Sequence, residues 1–599
     1  MLGVGMPVIS RRRFVNTGLM GLGSLYVTTL LSGCDGDDDD KKLGDGSFAH
    51  GIASGDPLAT SVILWTRVTP AAGTPEKIRV QWEVAEDEGF SNIIARDQGD
   101  ARLSTDYTVK VDIRDLSPDT HYYYRFSSAN QTTAIGHTRT LPDTSSDQLK
   151  MGVISCSNYP AGYFHVYAAL AEQNLDLILH LGDYIYEYGA DGYASEEAVA
   201  MGRVVQPAGE LLTLDDYRTR YAQYRTDPDL QKAHASTPFL VVWDDHEVAN
   251  DSWENGAENH SADEGSYADR KLAALRAYFE WLPIRPFDAM DNSDLANPSH
   301  IYRQFEWGDL ANLLMLDTRH EARVEAVDVA SFFSTTDGSF DFTGLFTALN
   351  DPSRHLLGEA QENWLQSAMS SSTATWQVLG QQVLMGKMYL PFGIATQQMS
   401  FEQYAELGQL AQLAARAQAA DPSLTAAELA YLQANQAKLT PQVLAMLQAP
   451  AIPYNMDAWD GFGAARERVY DMAKAADANL VVLAGDTHNA WANNLSNAAG
   501  DEIGVEFATS SVSSPGLEAY MGIAPAGYAA AEAGIVSIVD GLQYLNAGDR
   551  GYLVLDINHE RVVANWSFVS SVKAASYTMQ TERAKSLKVT AGTKHIQSV

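Results

Sequence analysis

Several apolar runs in this chain end in residues that bind metals. Met151-Gly152-Val153-Ile154-Ser155 leads into Cys156, and the run at 175–181 into Gly182-Asp183-Tyr184-Ile185-Tyr186. The run at 237–243 leads into Asp244-Asp245-His246-Glu247, and that at 480–484 into Gly485-Asp486-Thr487-His488. Short apolar runs of this kind bounded by turn residues read as buried strands. Their C-terminal ends then carry a thiol, carboxylates, a phenol and imidazoles to one sheet edge. Such a ligand set describes a metal-dependent hydrolase, and the sulfur asks for an ion softer than magnesium alone.

Asp183, just past a strand, can bridge two metals, and Tyr186 can return to one of them. Tyrosinate oxygen is hard and charged and suits ferric iron, while Gly182 permits the sharp turn. Read alone, the motif also fits a capping Asp beside a packed Tyr. Asp244-Asp245-His246 concentrates charge that cations must neutralise. One aspartate there can ligate metal while His246 faces the substrate as proton donor or phosphate contact. Asp486 and His488 have room to address two metals from one loop.

Weaker signals flank these. Arg319, after the strand Leu313-Leu314-Met315-Leu316, can grip a phosphoryl oxygen bidentately or pair with Asp317. Either amide of Gln381-Gln382 can offer an oxygen. Arg218, Arg220 and Arg225 read as helix-surface pairs. Cys34 and Cys156 are the only cysteines, and a lone thiol in an oxidising compartment is a liability unless it is buried or bound to metal.

Two elements must carry these residues. Residues 48–145 show strand composition (Val62-Ile63-Leu64-Trp65, Tyr122-Tyr123-Tyr124-Arg125-Phe126) separated by Pro, Gly, Asp and Ser clusters, and read as an all-β immunoglobulin- or fibronectin-like sandwich. From Leu149 apolar strands alternate with helical segments, which predicts an α/β domain over 149–570. A stretch rich in Ala, Gln and Leu within 391–452, broken at Pro422 and Pro441, predicts a helical insertion, a spacer as readily as a lid. Gly551–Asp556 and Val562–Trp566 predict a closing hairpin, and 571–599 a C-terminal tail.

The first 33 residues read as an export signal: Arg11-Arg12 precedes a modest apolar segment rich in Gly and Thr. That segment is marginal for a spanning helix, so an uncleaved membrane anchor is the alternative. Leu31-Ser32-Gly33-Cys34 resembles a lipobox, which implies lipid on Cys34 and makes the acidic residues 34–47 a tether. A net charge of −35 excludes duplex nucleic acid as a bulk partner.

The order Cys156, GDYIY, WDDHE, LDTR, GDTH resembles the alkaline phosphatase D (PhoD-like) family of calcineurin-like metallophosphoesterases. The resemblance spans about residues 48–570. It implies a four-layer α/β/β/α metallophosphoesterase sandwich behind the N-terminal β domain, with one Fe³⁺ and one or two Ca²⁺. By position, Cys156, Asp183, Tyr186 and His488 would hold iron. Asp183, Asp245 and Asp486 would hold calcium, with Gln381 or Gln382 as a further ligand. The expected protein is a phosphomonoesterase/phosphodiesterase of the periplasm or cell envelope, tied to the membrane only through Cys34. Metal-activated water would attack phosphorus, and His246 and Arg319 would orient the ester or assist the leaving group. A phospholipase D-like phosphodiesterase using the same site and a non-enzymatic, metal-stabilised surface lipoprotein are the alternatives. Nothing in the sequence sets the oligomeric state.

Overall fold

Two sheets lie face to face, and the alternation of side chains along one strand shows how they pack. In the computed structural model, Val481 and Leu483 of the strand Leu480–Ala484 join Met151, Val153 and Leu179 in one buried core. Leu480, Val482 and Ala484 point the other way, into a second core with Leu365, Ala465 and Val469 from the helices Gly358–Ser371 and Gly463–Ala475. A strand buried on both faces needs a continuous apolar run, and that is what its sequence supplies. On the far side of the first sheet, Tyr217, Tyr221, Leu230, Ala274 and Tyr278 from three further helices cover the outer face. The result is the expected α/β/β/α sandwich.

The structure describes residues 46–71, 76–129, 131–285, 301–336 and 338–599. The export signal, Cys34 and nearly all of the tether lie outside these residues. Among the described residues no helix is long and apolar enough to cross a membrane.

The first sheet has ten strands and the second seven. At the centre of the first, Leu149–Ile154, Leu177–His180 and Phe239–Val241 run parallel, in register at Met151–Leu177 and Ile178–Phe239. In the second, Ala311–Met315, Trp376–Gly380, Leu480–Ala484 and Glu502–Ala508 run parallel as neighbours. The motif loops therefore leave the C-terminal ends of parallel strands in both sheets. The sheets are joined at that end: the amide of Val512 donates to the Ser155 carbonyl (2.9 Å) and the Thr509 hydroxyl to that of Val153 (3.0 Å).

Three features refine the domain boundaries read from sequence. The N-terminal segment does form a β sandwich, with Val62, Leu64 and Val109 facing Val80, Val84, Tyr124 and Phe126. One of its sheets, however, is the continuation of the ten-stranded sheet, through the pairing of Phe239 with Gly55. A Cβ at Gly55 would stand 2.7 Å from the Phe239 carbonyl and 2.4 Å from that of Pro283, so only glycine admits the junction. The junction also covers an otherwise open sheet edge. Residues 571–599 are more than a tail, since Lys585–Thr590 and Gln597–Ser598 extend the same sheet beyond the hairpin Gly551–Ile557/Arg561–Phe568. The insertion is helical as expected (Phe401–Gln418, Ala426–Asn435, Pro441–Gln448), each helix capped by a Ser or Thr hydroxyl. Tyr389–Leu390 pairs with Ile452–Pro453 to close its base.

Candidate active site

Cys156, Asp183, Asp486 and His488 all adopt left-handed backbone conformations, with φ between 53° and 62°. This geometry is unfavourable for residues carrying a Cβ and persists only where surrounding structure enforces it. Each lies in the loop that follows a core strand. The loops approach so closely that each Asp is preceded by a glycine with no room for a side chain. A Cβ on Gly182 would meet the Asp244 Cβ at 2.4 Å, and one on Gly485 the Ser155 Cβ at 2.8 Å.

One buried carboxylate staples two of these loops. Glu247 accepts hydrogen bonds from the amides of Asp183 (3.1 Å), Tyr184 and Asp244 (2.6 Å). Burial, then the Asp183 charge, raises its pKa to about 8. In the sequence Glu247 stands only among the potential metal ligands of its motif, because a residue that bonds backbone amides has no spacing signature.

Among the described residues three ligand clusters result. Cys156, Asp183 and His488 form one, Asp183, Asp245 and His246 a second, and Asp244, Asp245 and Asp486 a third. Asp183 and Asp245 each belong to two of them. Tyr186 Oη donates to Asp183 Oδ2 (2.9 Å), lies 3.1 Å from His488 Nε2 and accepts from the Ser514 hydroxyl (2.6 Å). The Pro515 carbonyl accepts from His488 Nδ1 (2.7 Å), which leaves Nε2 with its lone pair toward the cluster. Burial, then the Asp183 carboxylate, pushes both the Cys156 thiol and the Tyr186 phenol well above their usual range.

The donor set fits cations. Asp183 Oδ1, Asp244 Oδ2 and Asp245 Oδ1 are buried carboxylate oxygens without a hydrogen-bond partner. Buried acceptors left unpaired are expensive, and a thiol and phenol whose anions are disfavoured by neighbouring carboxylates need positive charge between them. Thiolate, imidazole and phenolate on one side suit a transition metal; carboxylates alone on the other suit a hard cation.

His246 lies on the same cluster. Its Nδ1 donates to Glu187 Oε2 (2.7 Å), and its ring is 4.2 Å from that of Tyr186. Burial opposes its charged form, but the carboxylates of Asp245, Glu187 and Asp183 outweigh this and hold its pKa well above the usual value. Glu187 directly follows the GDYIY motif, and sequence reasoning passed over it.

Three expectations change. Arg319 does not face the opening. Its wholly buried guanidinium pairs with Asp244 and Asp457, 3.6 Å from Asp245 and 3.5 Å from Asp486. It binds Asp317 only through its amide (2.8 Å). Asp244 and Asp457 hold this cation, and it does not line the cavity. Nor is either glutamine amide free to ligate: Gln381 Oε1 accepts from the Trp459 indole (3.0 Å), and Gln382 Oε1 from the amide and hydroxyl of Thr318 (3.1 and 2.6 Å). Arg220 and Arg225 are buried and not surface pairs; Arg220 donates to the carbonyls of Tyr186 and Tyr188, bracketing Glu187.

The cluster opens into a cavity of about 310 Å³ bordered by Asp183, Asp245, His246, Asp486 and His488. Met388 and Tyr454, at the base of the helical insertion, and Tyr520 line it further out.

Comparison with known proteins gives the family. The family model described as PhoD-like phosphatase matches residues 151–566, and that of the PhoD-like phosphatase N-terminal domain residues 34–142. Alkaline phosphatase D of Bacillus subtilis (strain 168) is 34% identical over 482 residues, covering 78% of this chain and 70% of that protein. A solved structure described as the structure of PhoD superposes with a TM-score of 0.71 at 30% identity, over 93% of both chains. With both family models matched and the overall fold in common, the chain belongs to the PhoD-like phosphatase family and is a phosphoric ester hydrolase.

Proposed function

We propose that this enzyme hydrolyses phosphate mono- and diesters with an Fe³⁺–Ca²⁺ centre. Cys156, Asp183, Tyr186 and His488 would hold the iron, and Asp183, Asp245 and Asp486 the calcium, with the unpaired oxygen of Asp244 beside them. When bound, the cations neutralise phosphoryl charge and lower the pKa of a water from about 15.7 to near 7. The observation that carries the reading is the set of unpaired, buried carboxylate oxygens beside a thiol and a phenol.

The protein's own groups do the rest. Glu187 holds the His246 ring by Nδ1, so the proton on Nε2 is the one directed at the cavity, where it serves the leaving oxygen. Pro515 fixes His488 in the matching way. Arg319 balances Asp244 and Asp457, and so lets several carboxylates share one dry site. The test is chelation followed by repletion. Turnover of p-nitrophenyl phosphate should vanish in the stripped protein and return with iron plus calcium. Full activity in the stripped protein defeats the proposal.

Arg11-Arg12 and Leu31-Ser32-Gly33-Cys34 support export by the twin-arginine route and lipidation of Cys34. Cys34→Ala should give an unlipidated, poorly processed form. A variant that partitions into detergent like the wild type contradicts this part.

A further inference from the structure

The cavity wall shows which esters the site prefers, given the hydrolytic reading above, on which this inference rests. Among its described lining residues there is no lysine or arginine. An anionic leaving group would therefore meet Asp251 and Asp460 with no lysine or arginine to pair it. Asp460 is already committed to Arg466 (2.5 Å) and the Met388 amide (2.8 Å), so of the two only Asp251 is left to meet a cationic alcohol.

What the wall does offer is apolar. Leu384, Met388, Ala458 and Leu517 line it, and Tyr454 and Tyr520 stand further out, 41% and 59% exposed. Tyr454 is tied through its backbone and Tyr520 through its hydroxyl. The Tyr454 amide donates to the Met388 carbonyl (2.9 Å), continuing the paired base of the insertion. The Tyr520 hydroxyl bonds that of Tyr193 (2.9 Å), which donates to the Pro515 carbonyl (3.0 Å). Aromatic surface held in place binds an apolar partner with little loss of freedom.

We infer that Tyr454 and Tyr520 form the leaving-group side of the site and select phosphate esters of uncharged alcohols with an aromatic or alkyl body. The insertion then has a role: its base positions one of the two rings.

The experiment compares kcat/KM of the metal-loaded enzyme on 2-phenylethyl phosphate and ethyl phosphate, whose alcohols are of similar acidity, with choline phosphate as a cationic control. Wild type should favour the phenylethyl ester over both others by about tenfold or more, the discrimination apolar pockets achieve. Tyr454→Ala and Tyr520→Ala should each move the phenylethyl-to-ethyl ratio toward one, whereas Tyr454→Phe, which keeps its ring, should preserve it and Tyr520→Phe, which keeps the ring but loses the bond to Tyr193, should fall between wild type and Tyr520→Ala. A wild-type ratio near one, a preference for choline phosphate, or alanine variants that keep the ratio overturns the inference while the hydrolytic reading stands. Failure to hydrolyse any of the three esters removes both.

Discussion

Glu187 Oε2 lies 2.7 Å from Nδ1 of His246, the glutamate wholly buried and the imidazole exposed only where it borders the cavity. The other Glu187 oxygen accepts from the amide of Asn250 and the side chain of Asn259, both at 2.8 Å. The carboxylate is thus fixed, and through it the ring, with Nε2 turned to Asp183 and Asp245. A histidine so held can act on the substrate or on a cation, and the two roles separate experimentally.

His246→Ala should keep iron and calcium at wild-type content while turnover falls at least about 100-fold, the range of a lost general acid. Glu187→Gln should keep the metals and lose less. Metal analysis beside kcat decides: a cation missing from His246→Ala makes the histidine a ligand.

Tyr186→Phe retains the ring that packs on His246 but deletes the oxygen between Asp183 and His488. The purified wild type should be coloured by phenolate-to-iron charge transfer. The variant should lose that band and part of its activity, with its circular dichroism unchanged. An unaltered absorption spectrum contradicts the assignment.

Glu506 gives a pH prediction away from the metals. It lies buried in the second sheet and accepts from the amides of Met385 (2.6 Å) and Gly386 (3.0 Å) and from Asn493 (2.8 Å). Burial raises its pKa from 4.5 to about 6. Because the folded value lies above the unfolded one, this group's stabilisation is complete below pH 4.5 and is lost as pH rises through 6. Glu506→Gln removes that slope but leaves one amide without an acceptor, which costs about 1–3 kcal/mol. The variant should therefore be least stable relative to wild type near pH 4 and recover by about 2 kcal/mol toward pH 7. Denaturant titrations at the two pH values measure this, and a gap that widens with pH contradicts it.

The sequence made legible those residues that recur at strand ends. Cys156, Asp183 and Asp486 follow mainly apolar runs, and a run buried on both faces is visible without coordinates. Invisible were residues whose partners are distant in the chain. Asp457 reaches Arg319 and Arg323 across 138 and 134 residues, and Ser514 reaches Tyr186 across 328. Arg319 was misplaced for the same reason. Its motif neighbour Asp317 suggested a local pair, but the other sheet and the loop after the insertion bring in carboxylates that win it. The N-terminal sandwich hid its continuity with the catalytic sheet because a single residue pair, Phe239 and Gly55, makes the junction.

Asp183 tests the account most directly, since it joins two of the three ligand clusters and bonds Tyr186. Metal content and p-nitrophenyl phosphate turnover should be measured on wild type and Asp183→Ala after metal repletion. The account predicts iron and calcium in the wild type. It predicts a folded variant deficient in both metals, with activity below detection, because the loss of several kcal/mol of metal-assisted stabilisation is a factor of ten for each 1.36 kcal/mol. An Asp183→Ala protein that keeps its metals and turns over at near wild-type rate would contradict the central claim.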